Sequence, residues 1–316
     1  MLKTLSAALL LTTATSAMAE GDIKIATDIG VLSSLASLVG GDLVHVDRII
    51  PVNSDHHNLT LKPSQVRALN NADIVLWVGD GLSAAVGHTL ENGGDDKVII
   101  TLTEDHDLRH LDSRDIEQFG SESDDHDHSH GHDHGHDDDH DGESIDPHVW
   151  LNFENLKITS KHLSNKLSEL SPINATQFAA NTDKLIADLS YIQTRADALF
   201  DGIDDAHFVT SHDAYQYFED QFNFELEAVI TGSDGAEIGP KTLSNLLDHM
   251  HDHVPSCMIM DPREGTALAE QIAKDLGLIV VSLDPTGDNL DTTRNNVLGL
   301  MNETVDAFAR CFKLDK

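Results

Sequence analysis

The sequence predicts an α/β protein with two similar lobes, each a parallel sheet flanked by helices, joined by one long rigid helix. Three observations support this prediction. Short apolar runs rich in β-branched residues alternate with helical stretches from Asp22 onward. A long helical pattern then follows Ser171, and the β/α alternation resumes after it. Near-continuous apolar strands that alternate with helices are typical of parallel sheets covered on both faces.

Four predicted strands lie in the first half of the chain. Helices are predicted between them at 31–39, which ends at a Gly-Gly pair, and at 64–72, which follows Pro63. Between Leu102 and Ile145 the alternation stops for about forty residues, and loops of that length are usually functional or disordered. The strands are predicted at 23–29, 44–51, 73–79 and 97–102.

The second half of the chain begins with the connecting helix. Ser171 and Pro172 have the sequence of a helix N-cap followed by proline at the first helical position. The helix predicted from there is long enough to form a stiff connector. The later strands are predicted at 207–212, 224–230, 256–261 and 278–283, and the later helices at 241–250, 267–276 and about 290–313.

The first nineteen residues have the pattern of an export signal. Lys3 supplies the charge, a short apolar stretch follows, and Ala17-Met18-Ala19 forms the cleavage site. Cleavage after Ala19 predicts a mature protein outside the cytoplasm. The predicted division of the chain is a signal peptide at 1–19, an N-terminal lobe at 20–170 with a disordered loop at about 103–145, a connecting helix at 171–203 and a C-terminal lobe at 204–316.

The charge balance excludes one class of partner. The formal net charge is −35, and removing Lys3 with the signal makes it −36. Nucleic acids require lysine and arginine to neutralise phosphates, so nucleic-acid binding is not expected. The negative charge is compatible with attraction of cations.

The chain has two cysteines, Cys257 and Cys311. In an exported protein a single pair most simply forms one disulfide. Closing a loop of about 55 residues stabilises by roughly 4 kcal/mol in the chain-entropy model. A cysteine-ligated metal site is the alternative, although zinc–thiolate sites usually have closely spaced cysteines.

Residues 124–141, DDHDHSHGHDHGHDDDHD, contain no apolar side chain. Such a segment cannot bury enough surface to offset the entropy of ordering, so we expect it to be disordered. A solvated acidic linker would explain the aspartates but not the imidazoles, and histidine-rich tracts are typical of metal binding. The candidate ligands of this tract are His126, His128, His130, His132, His134, His136 and His140.

Three histidines outside the tract lie where ligands of an α/β protein bind. His57 follows the second predicted strand, His148 follows the long loop, and His212 ends the strand HFVTSH. Ligands of such folds bind at the carboxyl ends of strands, and the cleft between two lobes is the default site. Asp146 and Asp213 lie beside two of these histidines, where each is either an orienting partner of the ring or an ordinary surface acid.

At these residues the sequence resembles a known family. The stretches DHHNLTLKPSQVRALNNADIVLWVG, DPHVWLN, TSHDAYQYF and SLDPTG are similar to motifs of the periplasmic metal-binding proteins of ABC importers, specifically the zinc-binding, ZnuA-like branch. The resemblance covers essentially the whole mature chain, including GSDGAEIGPKTLSNLL and the cysteine pair.

The resemblance implies a ligand set. The three family histidines correspond to His57, His148 and His212, and histidine rather than glutamate at the third position favours zinc over manganese. The aspartate of the LDP motif is Asp284. Because His56 stands where the family often has proline or glutamate, the fourth ligand is Asp284, His56 or a water molecule. Three neutral imidazoles and one carboxylate are a suitable donor set for Zn²⁺.

The resemblance also implies a function. The protein is expected to be a monomeric, non-enzymatic solute-binding protein that captures Zn²⁺ as its transported ligand and passes it to a membrane permease driven by an ATPase. Zinc members commonly carry an acidic histidine-rich loop at this place, which implies an auxiliary scavenger or sensor role for the tract. His140 is only eight residues before His148, so the loop would present metal at high effective concentration.

Two alternative functions and the other histidines complete the predictions. A metal-dependent hydrolase would use the same donors, but HExxH, GxSxG and Walker motifs are absent from the sequence. A periplasmic zinc buffer or chaperone without a transporter is the second alternative.

His106 and His110 lie at the loop entrance, where they either extend its metal capacity or are plain loop residues. The histidines interpreted as structural are His45, His88, His162 and His207, and those interpreted as a solvated helix end are His249, His251 and His253.

Overall fold

A computed structural model describes most of the predicted lobes and the segment between them. The predicted signal peptide, His56, His57 and the histidine tract lie outside the described residues. The described residues are 22–52, 54, 59–93, 97–114, 145–203, 206–231, 241, 243, 244, 246, 247, 250, 254–263, 266–288 and 296–314.

The first lobe contains a four-stranded parallel sheet in the order β2-β1-β3-β4. Every side chain of β3 is buried, as expected for a strand covered by helices on both faces. The apolar face of α1 repeats at helical spacing, and the helix ends before Gly41, whose φ of +60° suits glycine. The elements are β1 (Ile23–Thr27), α1 (Gly30–Gly40), β2 (Val44–Arg48), α2 (Pro63–Asn71), β3 (Ile74–Trp77), α3 (Asp80–Glu91) and β4 (Val98–Thr101).

The second lobe repeats this topology. Its parallel sheet has the order β6-β5-β7-β8, which is the order of the first sheet shifted by four strands. The described residues of the predicted helix 241–250 are helical, and its other residues lie outside the description. The elements are β5 (His207–Thr210), α6 (Gln216–Phe222), β6 (Glu225–Val229), β7 (Cys257–Met260), α7 (Thr266–Leu276), β8 (Ile279–Ser282) and α8 (Asn296–Cys311).

Two long helices lie between the sheets, α4 (Phe153–Leu170) and α5 (Ala175–Phe200). Sequence analysis assigned no element to α4, although the Asn152 side chain caps it by accepting from two backbone amides of its first turn. Ser171 both ends α4 and stands at the N-cap position of the next helical segment, whose first residue is Pro172, as the sequence predicts. That segment begins with a 3₁₀ turn at residues 172–174 and continues as α5 from Ala175.

The long helix α5 is built into both lobes. It has 26 residues and packs against α1, α4 and α8. Its buried side chains belong to one continuous apolar cluster that reaches from Ile25 in β1 to Phe208 in β5 and Phe308 in α8. The predicted long helix between two parallel sheets is therefore confirmed, and the shared core explains why it is stiff. Among the described residues, no helix has both the length and the apolar character needed to cross a membrane.

The predicted disulfide joins β7 to the end of α8. Cys257 and Cys311 form the bond, their Cα atoms are 5.2 Å apart, and both residues are completely buried. The bond closes a sequence separation of 54 residues and fastens the C-terminal helix to the second sheet. It confirms the interpretation of the two cysteines as a disulfide pair.

Replacing both cysteines by alanine should lower the free energy of unfolding by roughly 4 kcal/mol, because the unfolded chain loses a loop constraint. Urea unfolding of the metal-free protein measures the loss, with wild type in reducing buffer as the matched comparison. A loss below about 1 kcal/mol would contradict this prediction, because an average point substitution costs as much.

Candidate metal centre

His148 is held rigidly in the first lobe. It precedes a 3₁₀ turn at Val149–Leu151 and is only 6% exposed. Asp146 Oδ1 accepts both the His148 backbone N–H at 3.0 Å and the ring Nδ1–H at 2.7 Å. A carboxylate can only accept here, so the ring carries its hydrogen on Nδ1 and its lone pair on Nε2. The predicted orienting role of Asp146 is therefore confirmed.

His212 lies just beyond the carboxyl end of β5 in the second lobe. Its backbone carbonyl accepts from the Thr210 hydroxyl at 2.9 Å and from the Ala214 N–H at 3.0 Å, which fixes the turn after the strand. The residue is 8% exposed. The turn directs the imidazole toward the first lobe, where it meets His148 edge to face with ring centroids 5.2 Å apart.

The two imidazoles meet across the lobes at their Nε2 atoms, which are 3.2 Å apart. Two nitrogens bound to one tetrahedral zinc ion at the usual Zn–N distance would be about 3.3 Å apart. Without metal, a hydrogen carried by one of the two rings must lie between these nitrogens. A divalent cation that replaces this hydrogen would be bound by both lobes with little movement of either ring.

Asp284 follows β8 and is buried, at 7% exposure. Its Oδ1 accepts from the Thr286 N–H at 2.9 Å and the Thr286 hydroxyl at 2.8 Å, and lies 3.0 Å from Arg263 Nη2. These three donors converge on one carboxylate oxygen of Asp284. The structure therefore brings His148 and His212 together. The described contacts of Asp284 are instead with Thr286 in its own loop and with Arg263. His57 and His56 lie outside the described residues, and their roles stay predictions.

Polar contacts fasten the lobes together around this pair. The Trp150 indole donates to the Pro285 carbonyl at 2.8 Å, which places the loop after His148 against the loop of Asp284. Arg48, at the end of β2, forms a two-fold hydrogen bond with Asp288, with both N–O distances at 2.7 Å. The Asp288 side chain is only 3% exposed. An arginine–carboxylate pair of this geometry is directional and resists displacement.

A second set of contacts fastens the base of the long loop to α6. Arg109 binds Asp220 in two places, and Arg114 binds both Asp213 and Glu219. Burial raises the pKa of Glu219 to about 7, and the hydrogen bond from Arg114 opposes that shift. Asp213 therefore binds Arg114. Its described contacts do not include the His212 ring, so the orienting role considered for it stays a prediction.

Sequence analysis did not identify the arginines of these inter-lobe contacts. Arg48 lies 240 residues from Asp288, and Arg114 lies 99 residues from Asp213. No local pattern relates positions so far apart. A weak signal was available, because acidic residues follow His212 and two arginines precede the histidine tract in an otherwise strongly acidic chain.

Comparisons with known proteins agree on one family. Residues 25–311 match the family described as "Zinc-uptake complex component A periplasmic", ZnuA. A relative from Haemophilus ducreyi, "High-affinity zinc uptake system protein ZnuA", is 27% identical over 91% of this chain and 92% of its own.

Two solved structures share the fold. "Crystal structure of ZnuA" has a TM-score of 0.71 and 22% identity, and the match covers 91% of this chain and 99% of that one. The solute-binding protein FpvC of Pseudomonas aeruginosa, solved with Mn²⁺, has a TM-score of 0.75 and 18% identity over 92% and 98% of the chains. At these identities the structures support the two-lobed architecture and not the choice of metal.

Replacing Arg48 by methionine should lower the free energy of unfolding of the metal-free protein by about 3–5 kcal/mol, because Asp288 would be left buried without its cation. The matched control is Arg310→Met. Arg310 also binds a carboxylate at 2.7 Å, that of Glu303, but both side chains are more than a third exposed.

The control should lose at most about 1 kcal/mol. Chemical unfolding of Arg48→Met, Arg310→Met and wild type measures the three free energies of unfolding. Equal losses in both would contradict a structural role for the contact across the lobes.

Proposed function

The chain belongs to the ZnuA family, the periplasmic metal-binding components of ABC uptake systems, and from this premise we propose that it captures Zn²⁺ between its lobes and delivers it to a membrane permease. The proposal includes the partner permease with its ATPase, a monomeric state and the absence of catalysis. Capture takes place in the periplasm, to which the signal peptide directs the chain before it is cleaved after Ala19.

One observation carries the proposal. His148 and His212 come from different lobes, and their Nε2 atoms lie 3.2 Å apart, a separation suited to two ligands of one zinc ion. His57 is proposed as the third ligand because it lies in the family motif, six residues before Pro63 and Ser64. The fourth ligand is proposed as Asp284, with His56 or water as the alternatives.

The donor atoms favour zinc over calcium, magnesium and manganese. Imidazole nitrogens suit zinc, whereas calcium, magnesium and manganese favour sites with more carboxylate oxygen. Asp146 holds the His148 ring as a neutral ligand with its lone pair outward, as is usual for metal-bound histidines. A relative named for zinc and a structural neighbour with manganese share the fold, so selectivity would depend on the third and fourth ligands.

The base of the histidine-rich segment supports an auxiliary role for that segment. Asp112 and Ile145 form an antiparallel β-bridge, so the described residues on either side of this segment lie next to each other. Ile145 is three residues before His148. An ion bound by His126 to His140 would therefore be tethered near the inter-lobe pair, which raises its effective concentration there.

Release of zinc would require the two imidazoles to separate. The Arg48–Asp288 contact and the Trp150–Pro285 hydrogen bond cross between the lobes beside them. The shared core around α5 opposes wide hinge motion. The permease would therefore act by breaking local contacts at the cleft rim and moving the loops that carry the ligands.

Replacing His148 or His212 by glutamine should weaken binding of the first zinc equivalent by more than about 100-fold, since even the partner of a ligand is worth 10–100-fold. Competition with a chelator of known affinity measures the change. The matched control is His88→Gln, which removes an exposed histidine that contacts Glu91 on α3. Full affinity in His212→Gln would contradict a site formed by both lobes.

Deleting residues 121–143 should remove the weak zinc sites of the histidine tract and preserve the tight site, because the inter-lobe histidines lie outside this range. Calorimetric titration of the deletion variant against wild type gives both stoichiometry and affinity. Loss of the tight site on deletion would contradict the auxiliary role.

A further inference from the structure

A second histidine–carboxylate cluster lies away from the inter-lobe pair. It consists of Asp105 and Asp107, which follow the edge strand β4, and His162 on α4. The three side chains offer ligand atoms that all lie within 4.8 Å of one another. None of them belongs to the proposed inter-lobe site, and sequence analysis interpreted His162 only as structural.

This cluster repeats the local arrangement of the inter-lobe pair. Asp105 Oδ2 lies 2.6 Å from His162 Nδ1, as Asp146 Oδ1 lies 2.7 Å from His148 Nδ1. On the other side of the ring, His162 Nε2 is 3.2 Å from Asp107 Oδ2, the same separation as between the two inter-lobe nitrogens. In both places a carboxylate holds one ring nitrogen, and the other nitrogen faces a second potential ligand.

The arrangement requires a cation. Asp105 accepts a hydrogen bond from Nδ1–H, so a neutral His162 carries its lone pair on Nε2. That lone pair then faces the lone pairs of Asp107 Oδ2, and two acceptors at 3.2 Å repel each other unless a positive charge lies between them. Either a proton or a metal ion can supply it.

The surroundings of the cluster are acidic and open to solvent. A cavity of about 460 Å³ adjoins the cluster, and Asp105, His162, Glu104 and Glu169 are among its lining residues. The lining lysine, Lys166, is already paired with Glu169 at 3.0 Å. The Asp107 side chain is 73% exposed, so an ion from solvent can reach it.

We propose that His162 Nε2 and Asp107 Oδ2 bind a second Zn²⁺ ion on the outside of the first lobe. Asp105 holds the ring as a positioning residue, and water completes the coordination. The nitrogen ligand selects zinc over calcium and magnesium, which prefer oxygen. With two protein ligands instead of three or four, the site fills only after the inter-lobe site, when zinc is abundant.

The test is site-specific NMR on the full chain. Protein labelled with ¹⁵N-histidine and loaded with one zinc equivalent is titrated with further zinc until no imidazole signal moves. The His162 signals are identified by their absence in His162→Gln. The expected result is that Nε2 of His162 shifts on adding zinc, that Asp107→Asn abolishes the shift, and that His88→Gln leaves it unchanged.

Two outcomes would overturn the proposal. One is a His162 ring that is protonated on both nitrogens and unaffected by zinc, which would mean that a proton alone occupies the gap. The other is an unchanged shift in Asp107→Asn. In His162→Gln and in Asp107→Asn, the first zinc equivalent should stay bound between the lobes. Failure of the second site is therefore distinguishable from failure of the proposed transport function.

Discussion

The approach of two imidazole nitrogens from opposite lobes is the constraint on which the rest of the structure depends. His148 Nε2 and His212 Nε2 lie 3.2 Å apart in a buried setting, where two lone pairs cannot face each other without a hydrogen or a cation between them. Asp146 holds Nδ1 of the His148 ring, so Nε2 is the ring atom that faces His212. The pair therefore holds either a hydrogen of one ring or a metal ion, and a metal bound by both Nε2 atoms must displace that hydrogen.

Everything around the pair limits how far the lobes can move. The buried core is continuous through α5, and the disulfide fastens α8 to the second sheet. Arginine–carboxylate contacts join the lobes at two places, through Arg48 and through Arg114. A partly buried ion pair is costly to break by removing one member, although it adds little by its mere presence. These contacts thus fix the relative position of the two histidines more than they add to stability.

Much of the fold could be predicted from the sequence because periodicity is a local property. Strands such as β3 are continuous apolar runs, and helices such as α1 have an apolar face at helical spacing. The pair Ser171-Pro172 marks the start of a helical segment in the sequence, but it does not show that another helix ends at the same serine. That other helix, α4, was missed, although Asn152 caps it and its buried side chains repeat at helical spacing.

The site was predictable only in part. Histidines at the carboxyl ends of strands were identifiable from motif and position, and the structure brings two of them together. The contact between Arg114 and Asp213 was not identifiable, because it depends on how two distant loops pack. The cluster of His162 was also hidden, since Asp105 and Asp107 are 57 and 55 positions away in the sequence.

A crystal structure of the full chain with one equivalent of zinc, measured at the zinc absorption edge, tests the central claim most directly. We predict one strong anomalous peak between the lobes, about 2.0–2.1 Å from the Nε2 atoms of both His148 and His212. A peak bound to only one of these nitrogens, or located on a single lobe, would contradict the account.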